Sequence, residues 1–208
     1  MDDVIKKNSV QKYVSELNAC FLKAEASGEN IAYLNLDLAL DQTLDLILKA
    51  KSTGGKVIFI GNGGSAAIAS HQAVDFWKNG KVRAIAFNDS SLLTCVSNDF
   101  GYEQVFERPI DMFAEKSDVL IAISSSGQSK NILRAIGAAK AKKCSVITLS
   151  GFKPDNPLRR KGQLNFYVPS ESYGFVEISH LILCHYLVDE ICMRKEPSTV
   201  QTTSYPSA

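Results

Sequence analysis

The chain has 208 residues, 45% of them hydrophobic, with 23 basic against 22 acidic side chains and a formal net charge of +1. That length and apolar content build one α/β domain with a sizeable core rather than two. Lysines and arginines scattered through a balanced sequence form neither a nucleic-acid stripe nor a membrane-seeking face, so the expected partner is a small molecule, with no nucleic acid and no membrane.

Residues 5–23 and 31–51 read as helices, the second from Leu36, Leu40, Leu44 and Leu48 at helical spacing, with a stop at Thr53-Gly54-Gly55. Four apolar, β-branched runs then fit buried parallel strands: Val57–Ile60, Val82–Phe87, Val119–Ile123 and Val146–Leu149. A fifth is Asn165–Val168. Helical patterns lie between them at 66–78, 90–96, 103–113 and 130–143, and a last helix spans 173–194. The alternation predicts an α/β fold, a single doubly wound, mainly parallel five-stranded sheet flanked by helices. Residues 1–54 form an N-terminal helical extension packing on the domain or on a neighbouring subunit, residues 55–196 the domain itself. The tail 197–208, rich in Ser, Thr and Pro and without a charge, is expected to be disordered.

Cys20, Cys95, Cys144, Cys184 and Cys192 are odd in number and show no C-x-x-C spacing, which disfavours a disulfide framework or a cysteine zinc site. They read as buried thiols in a reducing compartment. A charged N-terminus and the lack of an 18-residue apolar run point to a cytoplasmic protein.

The first strand leads into Gly61-Asn62-Gly63-Gly64-Ser65 and then a helix, so backbone N–H groups and a helix N-terminus form an anion site. Gly61, Gly63 and Ala66 satisfy the dinucleotide fingerprint, and Asp89 lies roughly where a ribose-binding carboxylate belongs, so the loop alone leaves dinucleotide, lone phosphate and plain tight turn open. A second loop, Ser124-Ser125-Ser126-Gly127-Gln128-Ser129, follows the third strand and opens another helix. Hydroxyls and amides without fixed positive charge suit the terminal phosphate of a sugar, and one N-cap needs only one serine. His71 and Asp75, four apart on the helix after the glycine loop, share a face. On spacing alone they are equally a metal or substrate pair and a solvated polar face.

The stretches "GNGGSAAIASH", "SNDFGYEQVF", "DVLIAISSSGQSKNI" and "VITLSGF" together resemble the sugar isomerase (SIS) domain, more narrowly the bacterial phosphoheptose isomerases, over about residues 4–192. The resemblance implies a homotetrameric isomerase with sites near subunit interfaces. Its reaction converts sedoheptulose 7-phosphate to D-glycero-D-manno-heptose 7-phosphate through an enediol, for surface polysaccharide synthesis. It decides against the dinucleotide. It also implies substrate contacts at Asn62, Gly63, Gly64, Ser65, Asn98, Asp99, Ser124, Ser125, Ser126, Ser129 and Glu177. It implies one Zn2+ per subunit on His71, Asp75, Glu177 and His185, with Asp75 and His185 as the proton-transfer residues.

Three departures stand out. Asp75 replaces a glutamate one methylene longer, Glu177 replaces a glutamine, and "FWKNGKVR" is shorter than the family's arginine-bearing segment, leaving Lys78 as a stand-in. Glu177 and His185 are separated by about 12 Å of helix axis, so either both reach one ion or the ligands come from different subunits. His180 reads as a packed or hydrogen-bonded histidine. The alternative function is a noncatalytic SIS module that binds a sugar phosphate or serves as an adaptor.

Overall fold

Uninterrupted apolar runs occupy the middle of the sheet because helices cover both of its faces. The computed structural model describes residues 9–29 and 33–194. In chain order the elements are α1 (Val10–Phe21), β1 (Glu25–Gly28), β2 (Tyr33–Leu34), α2 (Leu36–Ser52), β3 (Val57–Ile60), α3 (Gly64–Lys78), β4 (Ala84–Ala86) and α4 (Ser90–Phe100). They continue with α5 (Glu107–Phe113), β5 (Val119–Ser124), α6 (Lys130–Ala141), β6 (Ser145–Ser150), β7 (Leu164–Tyr167) and α7 (Tyr173–Met193), with 3-10 helices at Tyr102–Gln104 and Pro157–Arg160.

Among the described residues the sheet has seven strands, ordered β2-β1-β7-β6-β5-β3-β4. The five expected strands are its parallel part. Side chains alternate across each strand. Val57, Phe59, Ile121 and Leu149 join the core under α2, α3 and α7. Ile58, Ile60, Leu120 and Val146 join the one under α5 and α6. From β3 the chain moves to β4 at one edge, and from β5 it moves through β6 to β7 in the other direction. The crevice at the carboxyl ends of β3 and β5 is therefore the switch point where open α/β sheets bind ligands.

The structure corrects the N-terminal reading. Residues 25–28 and 33–34 are strands, β1 antiparallel to β7 and β2 antiparallel to β1. The second helix starts at Leu36 because Asn35 caps it, accepting the Leu38 N–H at 3.1 Å. The expected helix over 103–113 is split: Pro109 lacks an N–H and sits in the first turn of α5, where none is needed. Residues 5–8, 30–32 and the tail 197–208 lie outside the described residues.

All five cysteines are free, but only Cys144 and Cys184 are buried, while Cys95 is exposed on α4. Burial pushes the Cys144 thiol up to about 11 and the Cys184 thiol to about 12, which keeps both protonated and inert. No described helix is long and apolar enough to cross a membrane.

Candidate functional site

Three helices begin around the crevice. The glycine loop enters α3 through Gly63, whose φ of 54° suits glycine, and through Gly61, where a Cβ would collide with the Ser65 backbone. The serine loop enters α6, and α7 begins at Tyr173. Between them lies a pocket of about 250 Å³, walled on one side by Asn62, Gly63, Gly64 and Ser65 and on another by Ser124, Ser125, Ser126 and Ser129. Tyr173 and Glu177 of α7 complete it.

No Lys or Arg is among the lining residues, so attraction for an anion comes from hydroxyls, backbone N–H groups and the positive ends of helix dipoles. The Ser124 and Ser129 hydroxyls are 3.2 Å apart. The Gly127 N–H donates to Ser124 Oγ at 3.2 Å, and the Gln128 N–H to Ser126 Oγ at 3.3 Å. Ser125 Oγ is buried and has no hydrogen-bond partner among the described residues.

Neighbours that the sequence reading missed hold this pocket in place. Asn62 and Asn131 exchange amide hydrogen bonds of 3.0 and 2.9 Å, tying the glycine loop to the start of α6, and the Tyr102 hydroxyl donates to Asn62 Oδ1 at 2.9 Å. Gly64 lets the Glu177 carboxylate approach, which a Cβ there would push aside. Tyr173 carries no sequence signal beyond standing four residues before Glu177.

Asn98 and Asp99 are not brought to the pocket within one protomer. They bond to each other at 2.9 Å and line a separate surface hollow on α4 with Ser90, Ser91, Thr94 and Cys95. Asp89, the acidic residue that kept the dinucleotide reading open, is a helix cap, its Oδ1 accepting the N–H groups of Ser91 and Leu92 at 2.9 and 3.1 Å.

The second part of the site lies further along the same two helices, which run parallel. Gly64 abuts Glu177, the His71 and His185 rings are 5.3 Å apart, and Gly80 meets Val188 and Ile191. His71 lies seven residues beyond Gly64, about 10 Å along the axis. Asp75 Oδ2 is 3.3 Å from His71 Nε2 and 3.8 Å from His185 Nδ1, and the ligand atoms of the three residues lie within 4.8 Å of one another. The Asn79 amide donates to the other carboxylate oxygen at 3.3 Å.

The Asp75 side chain is 16% exposed, those of His71 and His185 55% and 41%, so the cluster is open to a ligand on its histidine side. Two imidazoles and one carboxylate form a donor set that suits zinc with a position left for substrate. Glu177 is not in this group and lines the anion pocket. His180 also stays apart. It is fully buried, its Nε2 donates to the Ser150 carbonyl at 3.1 Å, and burial pushes its pKa down to about 4, so it is neutral.

The chain matches the SIS domain over residues 23–151, more than half its length. It is 36% identical over 160 residues to a phosphoheptose isomerase of Helicobacter pylori, which covers 74% of this chain and 83% of that one. A phosphoheptose isomerase of Sodalis glossinidius is 40% identical over 158 residues, 72% of this chain and 80% of its own. Among solved structures, phosphoheptose isomerase from Neisseria gonorrhoeae superposes with a TM-score of 0.74 at 30% identity, over 88% of this chain and 97% of that one.

Proposed function

The chain belongs to the SIS domain family and, within it, to the phosphoheptose isomerases, and on that premise we propose that it isomerises sedoheptulose 7-phosphate to D-glycero-D-manno-heptose 7-phosphate. The observation that carries this reading is the placement of the Asp75–His71–His185 cluster on the helices that also wall the anion pocket, about two turns further along. A phosphosugar held by its phosphate at the serine loop extends its reacting end along α3 and α7 toward the cluster. Retention of that cluster supports catalysis over a noncatalytic binding module.

Aldose–ketose isomerisation moves a proton between C1 and C2 and a second one between the two oxygens. Asp75 Oδ2 is the base that takes the carbon-bound proton and returns it to the neighbouring carbon. His185, facing that carboxylate, carries the proton between the oxygens, and Asn79 keeps Oδ1 turned away. The serine and glycine loops bind and orient the phosphate. His71, Asp75 and His185 would hold zinc, with Glu177 as a fourth ligand if its side chain turns from the pocket. Zinc there supplies a Lewis acid for the substrate carbonyl.

An apolar stripe of Ile178, Ile182 and Tyr186 along α7, each more than a third exposed, lies on the helix that also carries His185. Trp77 of α3 is 52% exposed. These faces support a homotetramer whose interfaces pass close to the sites, with Asn98 and Asp99 serving a neighbour's pocket. Of the described part of the expected 1–54 extension, α1 supports that packing, lying on α7 through the edge contact of Tyr13 with Phe175, whereas β1, β2 and α2 join the sheet and core of the catalytic unit. The five free cysteines suit a reducing, cytoplasmic location, and the family supports a role in supplying heptose to surface polysaccharide.

The test is incubation of the protein with sedoheptulose 7-phosphate in deuterated water, with zinc and after chelation. Aldoheptose 7-phosphate carrying deuterium at C2 is expected. No product under either condition defeats the reading, and full turnover after complete metal removal defeats the zinc part alone.

A further inference from the structure

The serine loop is backed by a buried amide that lines no part of the pocket. We propose that Asn156 is a positioning residue that holds the 124–129 loop in its phosphate-binding shape, an inference that rests on the reading of that loop as the phosphate site. Asn156 is 2% exposed and caps the 3-10 helix that follows it, its Oδ1 accepting the Arg159 N–H at 3.3 Å. Its amide nitrogen faces three oxygens of the β6 loop: Ser150 Oγ at 3.3 Å, the Gly151 carbonyl at 3.1 Å and the Lys153 carbonyl at 2.9 Å. Both ends of the amide are therefore committed, and its orientation is fixed by chemistry as well as shape.

The same side chain lies flat on Gly127, where any Cβ would strike it. Gly127 has a φ of 64° and closes the serine turn, its N–H donating to the Ser124 carbonyl at 3.0 Å. Two backbone bonds join this turn to the wall that Asn156 organises. The Leu158 N–H donates to the Gly127 carbonyl at 3.2 Å, and the Gly151 N–H to the Ser125 carbonyl at 2.9 Å. Asn156 bonds to Gly151 and immediately precedes the segment carrying Leu158, so it sets the spacing between those two anchors.

Arg159 braces the wall from behind. It is 5% exposed and donates to the Pro154 carbonyl at 2.8 Å and to Glu25 of β1 at 2.7 Å. Without the Asn156 donor, the β6 loop relaxes, the Gly127 turn opens, and the serine hydroxyls and N–H groups no longer converge. Asp75 and His185 make no bond to this wall themselves, and α7 meets it through the His180 bond to the Ser150 carbonyl. Loss of Asn156 is thus expected to affect binding of the phosphate rather than the proton transfers.

Asn156→Asp is the discriminating variant. It keeps the shape and the acceptor for Arg159, but sets an oxygen against three oxygens. Its KM for sedoheptulose 7-phosphate and its Kd for inorganic phosphate, read by calorimetry, are expected to rise about tenfold or more, with kcat within about threefold of the parent and unchanged zinc content. Parental phosphate affinity overturns the inference, as does a parallel fall of kcat and KM-independent activity with the folded fraction. If the variant does not fold, Ser150→Ala, which removes one partner, takes the same test with a rise of about threefold expected, and no rise overturns the inference. Ser124→Ala is the control. Unaltered phosphate binding there sinks the phosphate-site reading itself, whereas a loss there with none in Asn156→Asp sinks only the brace.

Discussion

The anion pocket and the carboxylate–histidine cluster share α3 and α7 but are held in different ways. The pocket is made of loops whose carbonyls at Asn62, Gly63, Ser124, Ser125, Gly127 and Ser129 accept backbone bonds, with Asn131 and Asn156 buried behind it. The cluster consists of side chains on helix faces, two of them about half exposed, related by contacts of 3.3 and 3.8 Å that are long for hydrogen bonds. The phosphate does not change during the reaction, so a preformed cradle suits it. On the proposed mechanism protons move at the cluster, which suits groups that keep free atoms for a metal or substrate.

The widest gap between the two regions should open on Asp75→Asn. The amide keeps the size and an oxygen that accepts from the Asn79 amide, but cannot accept a carbon-bound proton. Turnover and solvent exchange at C1 and C2 are expected to fall about 10²- to 10⁴-fold, while inorganic phosphate binds as before. Normal exchange in this variant would break the division of labour, because the base would then lie elsewhere.

The complementary change sits in the pocket. On the phosphate-site reading, Ser124→Ala and Ser126→Ala each remove a hydroxyl bond to a charged group, worth roughly 1.5 to 3 kcal/mol of substrate affinity. The double variant should bind sugar phosphate far more weakly in calorimetry, yet retain the parental melting temperature and whatever metal content the parent has. Deleting residues 1–22, which spares β1 and its Glu25 bond to Arg159, sharpens the contrast from outside. Light scattering is expected to show smaller species, and an unchanged mass would remove α1 from the assembly.

The two regions also differed in how far the sequence exposed them. The parallel strands were legible because both faces of each are buried, leaving runs such as Val119–Ile123 without polar interruption. β1, with the sequence Glu-Ala-Ser-Gly, carries no strand signal, and its pairing with β7 comes from the tertiary fold. The helix expected over 31–51 ran backward across β2, because the spacing of Leu36, Leu40, Leu44 and Leu48 marks a helix but not its first residue, which the Asn35 cap fixes.

The serine loop stood out by composition, whereas the glycine loop alone left three readings open and the spacing of His71 and Asp75 left a functional pair and a solvated face equal until the resemblance was added. His185 was named only through resemblance, since the parallel packing of α3 and α7 that brings it to Asp75 joins residues 110 positions apart in the numbering. Asn156 was invisible for a related reason. Followed by Pro157, it reads as an ordinary turn, and its partners on β6 and in the serine loop are set by the sheet.

The smallest effect concerns the joint between the regions, His180, which lies on α7 between Glu177 and His185 and binds the end of β6 through the Ser150 carbonyl. Its pKa in the fold is about 4, lowered chiefly by burial and partly restored by the bond to Ser150, against an unfolded value near 6.5. Between those two values the unfolded chain binds a proton that the folded chain refuses, so stability is full above about pH 6.5 and is lost as pH falls toward 4. The loss from this one group is expected to be about 2 kcal/mol between pH 7 and pH 5. Urea denaturation of the parent and of His180→Asn at both pH values measures it. The variant starts less stable at pH 7 because an optimised buried bond is disturbed, but it should lose distinctly less on acidification. Equal losses would assign the acid sensitivity to other groups. A joint that weakens in acid should loosen α7 against β6 and so disturb the alignment of both regions, although His180 itself belongs to neither.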